Sequence, residues 1–276
     1  MSNKNSILLV DPEFDPNTAT ACNLLLKITS DSFSYAIIDK STKQLKVIYD
    51  LQDCNDGAVE LAKSLKNDSY LSLPFKEVKA SAYTVNSIAV PNELYHAVDL
   101  DNYSRFFTEE QSNTLYVQPF TKFGFNSIFT FQNFIEQTLS AALQNCKRYD
   151  HTAPALAIAT TLSGDHLILD FTAGSFNALY MKDGKLIFQH FYEVENAEEF
   201  NYYLLLMIKQ LNIDKLYTQV GVSGIVNEDD PYFTALAKYF NAIELNPPVN
   251  NEIDHSLLED MPAHYYTSLL ALDLCE

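Results

Sequence analysis

Residues 167–182 read LILDFTAGSFNALYMK, and residues 24–39 read LLLKITSDSFSYAIID. At a constant offset of 143 positions, the two stretches share two leucines, a threonine, a serine and a phenylalanine. The matched pairs are Leu24 and Leu167, Leu26 and Leu169, Thr29 and Thr172, Ser32 and Ser175, and Phe33 and Phe176. Each stretch has the pattern of a strand, a short turn and a second strand. The repeat predicts two halves built on one plan.

The residues that follow each hairpin extend the repeat. Residues 44–51 (QLKVIYDL) and 186–194 (LIFQHFYEV) predict a third strand in each half, the second entered through the type I′ turn sequence Lys-Asp-Gly-Lys at 182–185. Helical spacing of apolar residues then predicts a helix over 56–67, with its first residue as N-cap, and another over 197–211. The chain is therefore predicted to be α/β, with two related mixed sheets that each start from a three-stranded meander and are flanked by helices.

Four further predictions concern the segments outside these units. An apolar face over residues 128–146 predicts a long helix, and residues 155–160 predict the first strand of the second half. Residues 216–222 predict a strand that ends in a Ser-Gly turn at 223–224. Residues 147–154 are polar and end in proline, so they are the predicted boundary between the halves.

The length and composition agree with two domains of ordinary size, predicted as 1–150 and 151–276, the second with an acidic C-terminal tail. The chain has 276 residues, of which 47% are hydrophobic, which is enough to build two cores. It shows no secretory signal pattern and no apolar stretch near the ~20 residues of a membrane span. We therefore expect a cytoplasmic protein that does not enter a membrane.

The formal net charge of −18 excludes one class of partner and suggests another. A nucleic-acid-binding protein needs a basic surface to displace counterions, and anionic membranes demand the same, so neither partner is expected. Residues 227–276 hold ten acidic side chains against the single base Lys238. This acidity serves solubility, or alternatively it forms a docking face for a basic partner protein.

Two runs in the second half carry a family resemblance. Residues 183–214 (DGKLIFQHFYEVENAEEFNYYLLLMIKQLNID) and 220–240 (VGVSGIVNEDDPYFTALAKYF) resemble an uncharacterised bacterial family, a domain of unknown function assigned to the actin-like ATPase (ribonuclease H-like) fold. Its members carry DGKL-x-F-x-N-x-F, then EDF-x-Y-x-L and L-S-G. This sequence departs from that pattern at His190, where the family usually has asparagine. The resemblance implies the fold and brings no catalytic residues with it.

The resemblance also says where a nucleotide would bind. In active members of the superfamily the first turn of each half, here residues 29–32 and 172–175, has D-x-G-x-[ST] and grips phosphates, and a later loop, here 220–225, contacts the nucleoside. In the first half Lys27 stands where the aspartate belongs, and Asp31 would meet a phosphate with like charge, a repulsion on the order of a few kcal/mol. The first half is therefore predicted to have lost its phosphate chemistry.

The second half keeps more of these groups. The candidate residues are Asp170, Thr172, Gly174 and Ser175 in the turn, and Gly221, Ser223 and Gly224 in the nucleoside loop. They predict a remnant nucleotide pocket for ATP and magnesium. Alternatively, Gly174 and Gly224 only serve tight turns. The total of seven glycines favours the second reading, because a nucleotide site needs several unencumbered loops.

No other pattern of a catalytic or metal site occurs. The four cysteines form no C-x-x-C, the histidines no H-x-x-x-H, and no serine lies in G-x-S-x-G. The pairs Tyr202-Tyr203 and Tyr265-Tyr266 cannot both point inward on a helix, so exposed aromatics suggest a protein partner or self-association. The favoured hypothesis is a non-catalytic binding or scaffold protein without a cofactor; the alternative is a divergent kinase or ATPase that uses the second half.

Overall fold

The computed structural model describes residues 5–108, 112–143, 145–246 and 252–276, with the backbone alone at Asp99. The chain divides into two compact units, residues 1–153 and 154–276. Each unit has its own central sheet and its own cluster of buried apolar side chains.

The first unit contains nine strands and three helices among the residues described, and a fourth helix crosses into the second unit. The strands are β1 (Ser6–Val10), β2 (Cys22–Ile28), β3 (Phe33–Asp39), β4 (Gln44–Leu51), β5 (Glu77–Ala82), β6 (Ser87–Pro91), β7 (Tyr116–Phe120), β8 (Phe125–Phe129) and β9 (Cys146–Asp150). The helices are α1 (Gly57–Asn67), α2 (Leu100–Tyr103), α3 (Asn133–Ala142) and α4 (Ala153–Ala159). The main sheet has the order β1-β4-β3-β2-β5-β9, and β6, β8 and β7 form a separate antiparallel sheet inserted between β5 and β9.

The second unit repeats the plan of the first with fewer additions. Its strands are β10 (His166–Phe171), β11 (Ser175–Lys182), β12 (Lys185–Glu193), β13 (Gln219–Gly224) and β14 (Ile243–Leu245), and its helices are α5 (Ala197–Gln210), α6 (Pro231–Ala237) and α7 (Thr267–Ala271). The sheet order β12-β11-β10-β13-β14 matches β4-β3-β2-β5-β9 strand for strand. In both sheets the first three strands are antiparallel and the last two join in parallel. The predicted duplicated meander is confirmed.

Short 3-10 helices connect several of these elements. Their ranges are Pro16–Ala21, Ser69–Ser72, Ala97–Asp99, Ser104–Phe106, Thr121–Phe123, Ser256–Leu258, Ala263–Tyr266 and Leu272–Leu274. In the ranges that the structure describes, no helix is both long enough and apolar enough to cross a bilayer.

Local sequence explains how the meanders lead into their helices. The carboxylate of Asp56 accepts hydrogen bonds from the first amides of α1, and Asn196 caps α5 in the same way. Asp183 and Gly184 have φ of 51° and 72°, the two positive values that a type I′ hairpin requires. The predicted N-cap of α1 and the predicted hairpin at β11–β12 are both correct.

The long helix predicted over residues 128–146 is wrong at both ends. Ile128 and Phe129 belong to β8, α3 covers only Asn133–Ala142, and Cys146 begins β9. Ile128 and Phe129 are fully buried in strand pairing, so their apolar character reflects a sheet and not a helix face. A short apolar run gives no periodicity that separates the two cases.

The strand predicted just after the boundary is also wrong. Residues 155–160 form no strand, because APALAIA from 153 is helix α4, as its alanine content favours. The Asp150 side chain accepts hydrogen bonds from the amides of Thr152 and Ala153 and so turns the chain into that helix. The polar stretch 147–150 lies in β9, the last strand of its sheet, where charged side chains are common.

Candidate functional site

The first turn, residues 29–32, is closed by its own side chains. Thr29 Oγ1 donates to Asp31 Oδ1 at 2.7 Å and lies 2.6 Å from Ser32 Oγ. A threonine has one hydroxyl proton, so Ser32 Oγ donates to Thr29 Oγ1 in this arrangement. The Thr29 proton is thus directed at the carboxylate and the Ser32 proton at Thr29, so the turn places a carboxylate where a phosphate would sit.

The backbone of the first turn is tied to the start of α1. The amide of Cys54 donates to the carbonyl of Asp31 at 2.8 Å, and the amide of Gly57 donates to the carbonyl of Ser30 at 3.2 Å. The amide of Gly57 is one of the donors that a helix N-terminus offers to an anion, and Cys54 lies just before that helix. Here they are used within the protein.

The second turn, residues 172–175, repeats this geometry without the carboxylate. Thr172 Oγ1 lies 2.6 Å from Ser175 Oγ, and the amide of Thr172 donates to the carbonyl of Ser175 at 2.9 Å. The amide of Val194 donates to the carbonyl of Gly174 at 2.9 Å, as Cys54 does in the first half. The Thr–Ser pair at an offset of 143 is therefore a structural feature of both turns.

Next to each turn a row of polar side chains crosses the sheet. Asp170 lies opposite Asn177 on β11 and opposite Ser223 on β13, so the three side chains share one face. Ser223 Oγ donates to Asp170 Oδ1 at 2.8 Å. Asn177 is only 8% exposed. Its Oδ1 atom is buried and has no hydrogen-bond partner among the residues described.

The matching row in the first half has different chemistry. Lys27 lies opposite Ser34 and Ser81, and Ser34 lies opposite Asp50. Burial raises the pKa of the Asp50 carboxyl, and the charge of Lys27 opposes that rise. An ammonium group therefore occupies the position that Asp170 holds in the second half. It neutralises a neighbouring carboxylate of the same sheet, and it cannot hold a metal.

Gly221, Ser223 and Gly224 lie in strand β13, so the strand predicted to end before 223 runs through to Gly224. A Cβ on Gly221 would lie 2.2 Å from Nδ2 of Asn246, so that side chain fills the space beside the glycine. Gly224 has φ of +82°, and a Cβ there would lie 1.9 Å from the carbonyl oxygen of Phe171. The overlap at Gly224 is with backbone, so glycine is needed there, whereas the side chain of Asn246 could move away from Gly221.

The interpretation that Gly174 and Gly224 only serve tight turns applies differently to the two residues. Gly224 has to be glycine because its φ is positive, which is what the interpretation as a turn residue predicts. Gly174 is not among the described residues with positive φ, and Asp31 occupies the same place in the first turn. Because the first turn carries an aspartate at this place, Gly174→Asp is the substitution that makes the second turn like the first.

Other nucleophiles and ligand sets are absent from the residues described. Burial raises the pKa of the Cys22 thiol to about 11 and that of Cys146 to about 12, so neither forms a thiolate near neutral pH. In the part of the chain described, no three His, Cys, Asp or Glu side chains are grouped as metal ligands. A groove of about 410 Å³ lies between α5 and α6, and Glu198, Asp229 and Lys238 are among its lining residues. None of the seven candidate residues contributes to its described lining.

Sequence reasoning missed two residues of this region. Asn177 sits two positions after Ser175, on the strand face that carries Asp170, and its polarity in an apolar strand was a usable signal. Asn246 follows β14, 25 positions from the glycine that it packs against. Nothing local in the sequence marks that contact.

We expect the Ser223→Ala variant to lose about 1–2 kcal/mol of unfolding free energy, because Asp170 Oδ1 would lose its hydroxyl donor in a buried site. Urea unfolding measures the change. Ser163→Ala, at an exposed position of the same unit, is the control and should stay within about 0.5 kcal/mol of the natural sequence. Equal values for the two variants would show that the Ser223–Asp170 hydrogen bond contributes nothing.

Comparison with known proteins supports the predicted family and fold. A family model described as "Protein of unknown function (DUF3822)" matches residues 11–243. No curated protein sequence matches the chain.

Several solved structures share the architecture at low identity. A Bacteroides thetaiotaomicron protein with actin-like ATPase fold and unknown function is 16% identical, with a TM-score of 0.76 over 95% of this chain and 99% of that one. A chain of the PilM–PilN type IV pilus biogenesis complex is 12% identical, with a TM-score of 0.56 over 92% of this chain and 98% of that one. The ethanolamine utilization protein EutJ from Carboxydothermus hydrogenoformans is 9% identical, with a TM-score of 0.50 over 97% of this chain and 93% of that one. The predicted actin-like ATPase fold is thus confirmed, and identities this low show the fold alone.

Proposed function

The chain belongs to the DUF3822 family of proteins of unknown function, and we propose that it is a non-catalytic binding or scaffold protein on a degenerate actin-like ATPase fold. The observation that carries this proposal is the first turn, where the Thr29 hydroxyl donates to Asp31 and the Ser32 hydroxyl pairs with that of Thr29. A site for the phosphates of ATP needs donors at both turns. Here the first turn offers an acceptor with negative charge.

The second half supports the same proposal from its own geometry. Asn246 fills the space beside Gly221, where a nucleoside would need open backbone. Ser223 is hydrogen-bonded to Asp170, and Thr172 to Ser175. These polar groups have partners within the protein, which is what a structural role predicts.

In this proposal the ligand is another protein, and the protein works in the cytoplasm. The net charge of −18 disfavours binding to nucleic acids and anionic lipids and favours protein partners with basic surfaces. One structure of this fold, the PilM–PilN complex, is a protein assembly, so the fold is compatible with such a role. At 12% sequence identity, the partner in that complex is not assigned to this chain.

A nucleotide-dependent kinase or ATPase is the second candidate, and Asn177 is the observation that favours it. Its Oδ1 is a buried acceptor without a partner among the residues described, on the face that carries Asp170. A donor supplied by a ligand, such as water bound to magnesium, would satisfy it. Asp170, Thr172, Gly174 and Ser175 would then hold the phosphates and the metal, with the second half alone forming the site.

Calorimetry with MgATP, MgADP and MgGTP separates the two candidates. For a scaffold we expect no binding tighter than about 1 mM, because the first turn repels phosphate and the second lacks an open nucleoside loop. The matched variant is Gly174→Asp, which gives the second turn the carboxylate of the first and suits the backbone conformation there.

Each outcome of that calorimetry decides between the candidates. A Kd below about 100 μM that weakens at least tenfold in Gly174→Asp would overturn the scaffold proposal and support the enzyme. Tight binding that the variant leaves unchanged would contradict both, since the nucleotide would then bind elsewhere. If the natural sequence binds none of the three nucleotides, the kinase or ATPase hypothesis is contradicted.

A further inference from the structure

Helix α5 carries apolar side chains on its solvent-facing side as well as on its buried side. Three of its side chains are buried in the core of the second unit, namely Phe200, Leu204 and Met207. On the opposite side, Tyr202, Leu205 and Leu206 are 63%, 42% and 38% exposed. Tyr203 is partly buried, so one ring of the Tyr202-Tyr203 pair faces inward and the other outward. A helix that is apolar all round is normally covered by protein on every side.

The equivalent helix of the first unit shows the ordinary pattern of a surface helix. Val59 is the one large apolar side chain that α1 exposes. The other exposed residues of α1 are polar or charged, namely Lys63, Lys66 and Asn67. The apolar outer side of α5 is therefore a property of this helix and does not follow from the fold that the two units share.

The outer side of α5 is a straight stripe with an acid at one end and a base at the other. Glu198, Tyr202, Leu205 and Lys209 are all exposed, at intervals of four, three and four residues. α5 is an unbroken α-helix over all four positions. At 3.6 residues per turn they lie within about 60° of one another around the helix axis. This is the spacing of the positions through which two helices pack in a coiled coil.

The stripe is complementary to itself when its direction is reversed. The midpoint between Tyr202 and Leu205 is also the midpoint between Glu198 and Lys209. If a second α5 packs antiparallel about that point, each Tyr202 lies level with Leu205 of the other copy, and each Glu198 lies level with Lys209. A parallel arrangement would instead bring like charges together at both ends. Neither Glu198 nor Lys209 belongs to an ion pair of the described residues.

We propose that α5 packs antiparallel against α5 of a second copy of this chain, centred between Tyr202 and Leu205, to form a dimer. The opposite charges of Glu198 and Lys209, at equal distances from the apolar centre, identify the partner as a reversed copy of the same helix. The pairing covers the apolar side chains that the single chain leaves open to solvent. The inference goes beyond the proposed function and does not depend on whether a nucleotide binds.

Charge reversal tests the pairing by sedimentation over a range of concentrations. The natural sequence should dimerise with a Kd below about 100 μM. Lys209→Glu should raise that Kd at least about tenfold, because two Glu–Glu contacts replace two ion pairs, and the double variant with Glu198→Lys should restore it. A natural sequence that is monomeric at about 100 μM, or a double variant no tighter than the single one, would overturn the proposal. The nucleotide calorimetry is a separate measurement, so either result can fail alone.

Replacement of a central leucine tests the apolar part of the stripe. Leu205→Asp should raise the dimer Kd at least about tenfold, because a carboxylate would be buried between the two helices. Val59→Asp is the matched control, since Val59 is an exposed apolar residue of α1 with 38% exposure, and it should change the Kd by no more than about twofold. Far-UV circular dichroism should show that both variants are folded. Equal Kd values for the two variants would contradict the proposal.

Cysteine crosslinking tests the direction of the pairing in a Cys54→Ser background. Cys54 is the one cysteine that is not buried. The double variant Glu198→Cys with Lys209→Cys places two thiols side by side at each end of the contact and should crosslink on oxidation. Glu198→Cys alone has its own copy about 16 Å away along the helix, beyond disulfide reach, and should not crosslink. Crosslinking of the single variant, or none of the double variant, would contradict the antiparallel arrangement.

Discussion

The Gly224→Ala variant should lose about 4 kcal/mol of unfolding free energy. Gly224 has φ of +82°, which costs an alanine about 1–2 kcal/mol. The new Cβ would also lie 1.9 Å from the carbonyl oxygen of Phe171, so β10 and β13 would have to separate. That movement would strain the hydrogen bond from the amide of Ile225 to the same carbonyl, 3.0 Å long in the native structure. Overlap with backbone cannot be relieved by a rotamer change.

The control is a glycine with the same conformation and open space. Gly184 has φ of +72°, and a Cβ at this position would have no other atom within 4 Å, so Gly184→Ala should cost only about 1 kcal/mol. Urea unfolding followed by tyrosine fluorescence measures both, since the chain has 17 tyrosines and no tryptophan. If the two variants were equally stable, close packing at Gly224 would not be the reason for its residue type.

The Gly57→Ala variant should lose about 3 kcal/mol, although alanine ordinarily favours a helix over glycine. A Cβ at Gly57 would lie 2.3 Å from the carbonyl oxygen of Thr29 and 2.4 Å from that of Ser32. Both atoms belong to the first turn, which the amide of Gly57 holds through Ser30. The turn would have to move away from α1, and its hydrogen bonds would be lost together.

The second half supplies the matched control for this variant. Ala197 is the first residue of α5, as Gly57 is of α1, and it already carries a Cβ. Ala197→Gly should cost no more than about 1 kcal/mol, the difference in helix propensity. The same urea titration compares the two. A loss in Gly57→Ala no larger than that in Ala197→Gly would show that the first turn can move away from α1 at little cost.

Part of the candidate site was predictable from the sequence because it depends on residues close in the chain. Thr172 and Ser175 are three positions apart, and their pairing follows from the turn that they span. Asp170 and Ser223 were both identified, yet their 2.8 Å hydrogen bond depends on the parallel pairing of β10 with β13. The use of Gly221 to admit Asn246 had no local signal at all.

The duplicated meander, the N-cap of α1 and the β11–β12 hairpin follow from the amino-acid sequence alone. Each of these follows from side-chain alternation, from Asp56 beside its helix, or from the φ values that Asp183 and Gly184 adopt. Such features use interactions within a few residues, so the local sequence contains their cause.

Which groups at the turns are already bound within the protein depends on contacts between distant segments. The amides of Cys54 and Gly57 bind the carbonyls of the first turn, and the side chain of Asn246 lies against Gly221. The assignment of Ile128 to a strand was decided in the same way, by strand pairing. These contacts join segments that the chain brings together only on folding, and burial there outweighs local preference.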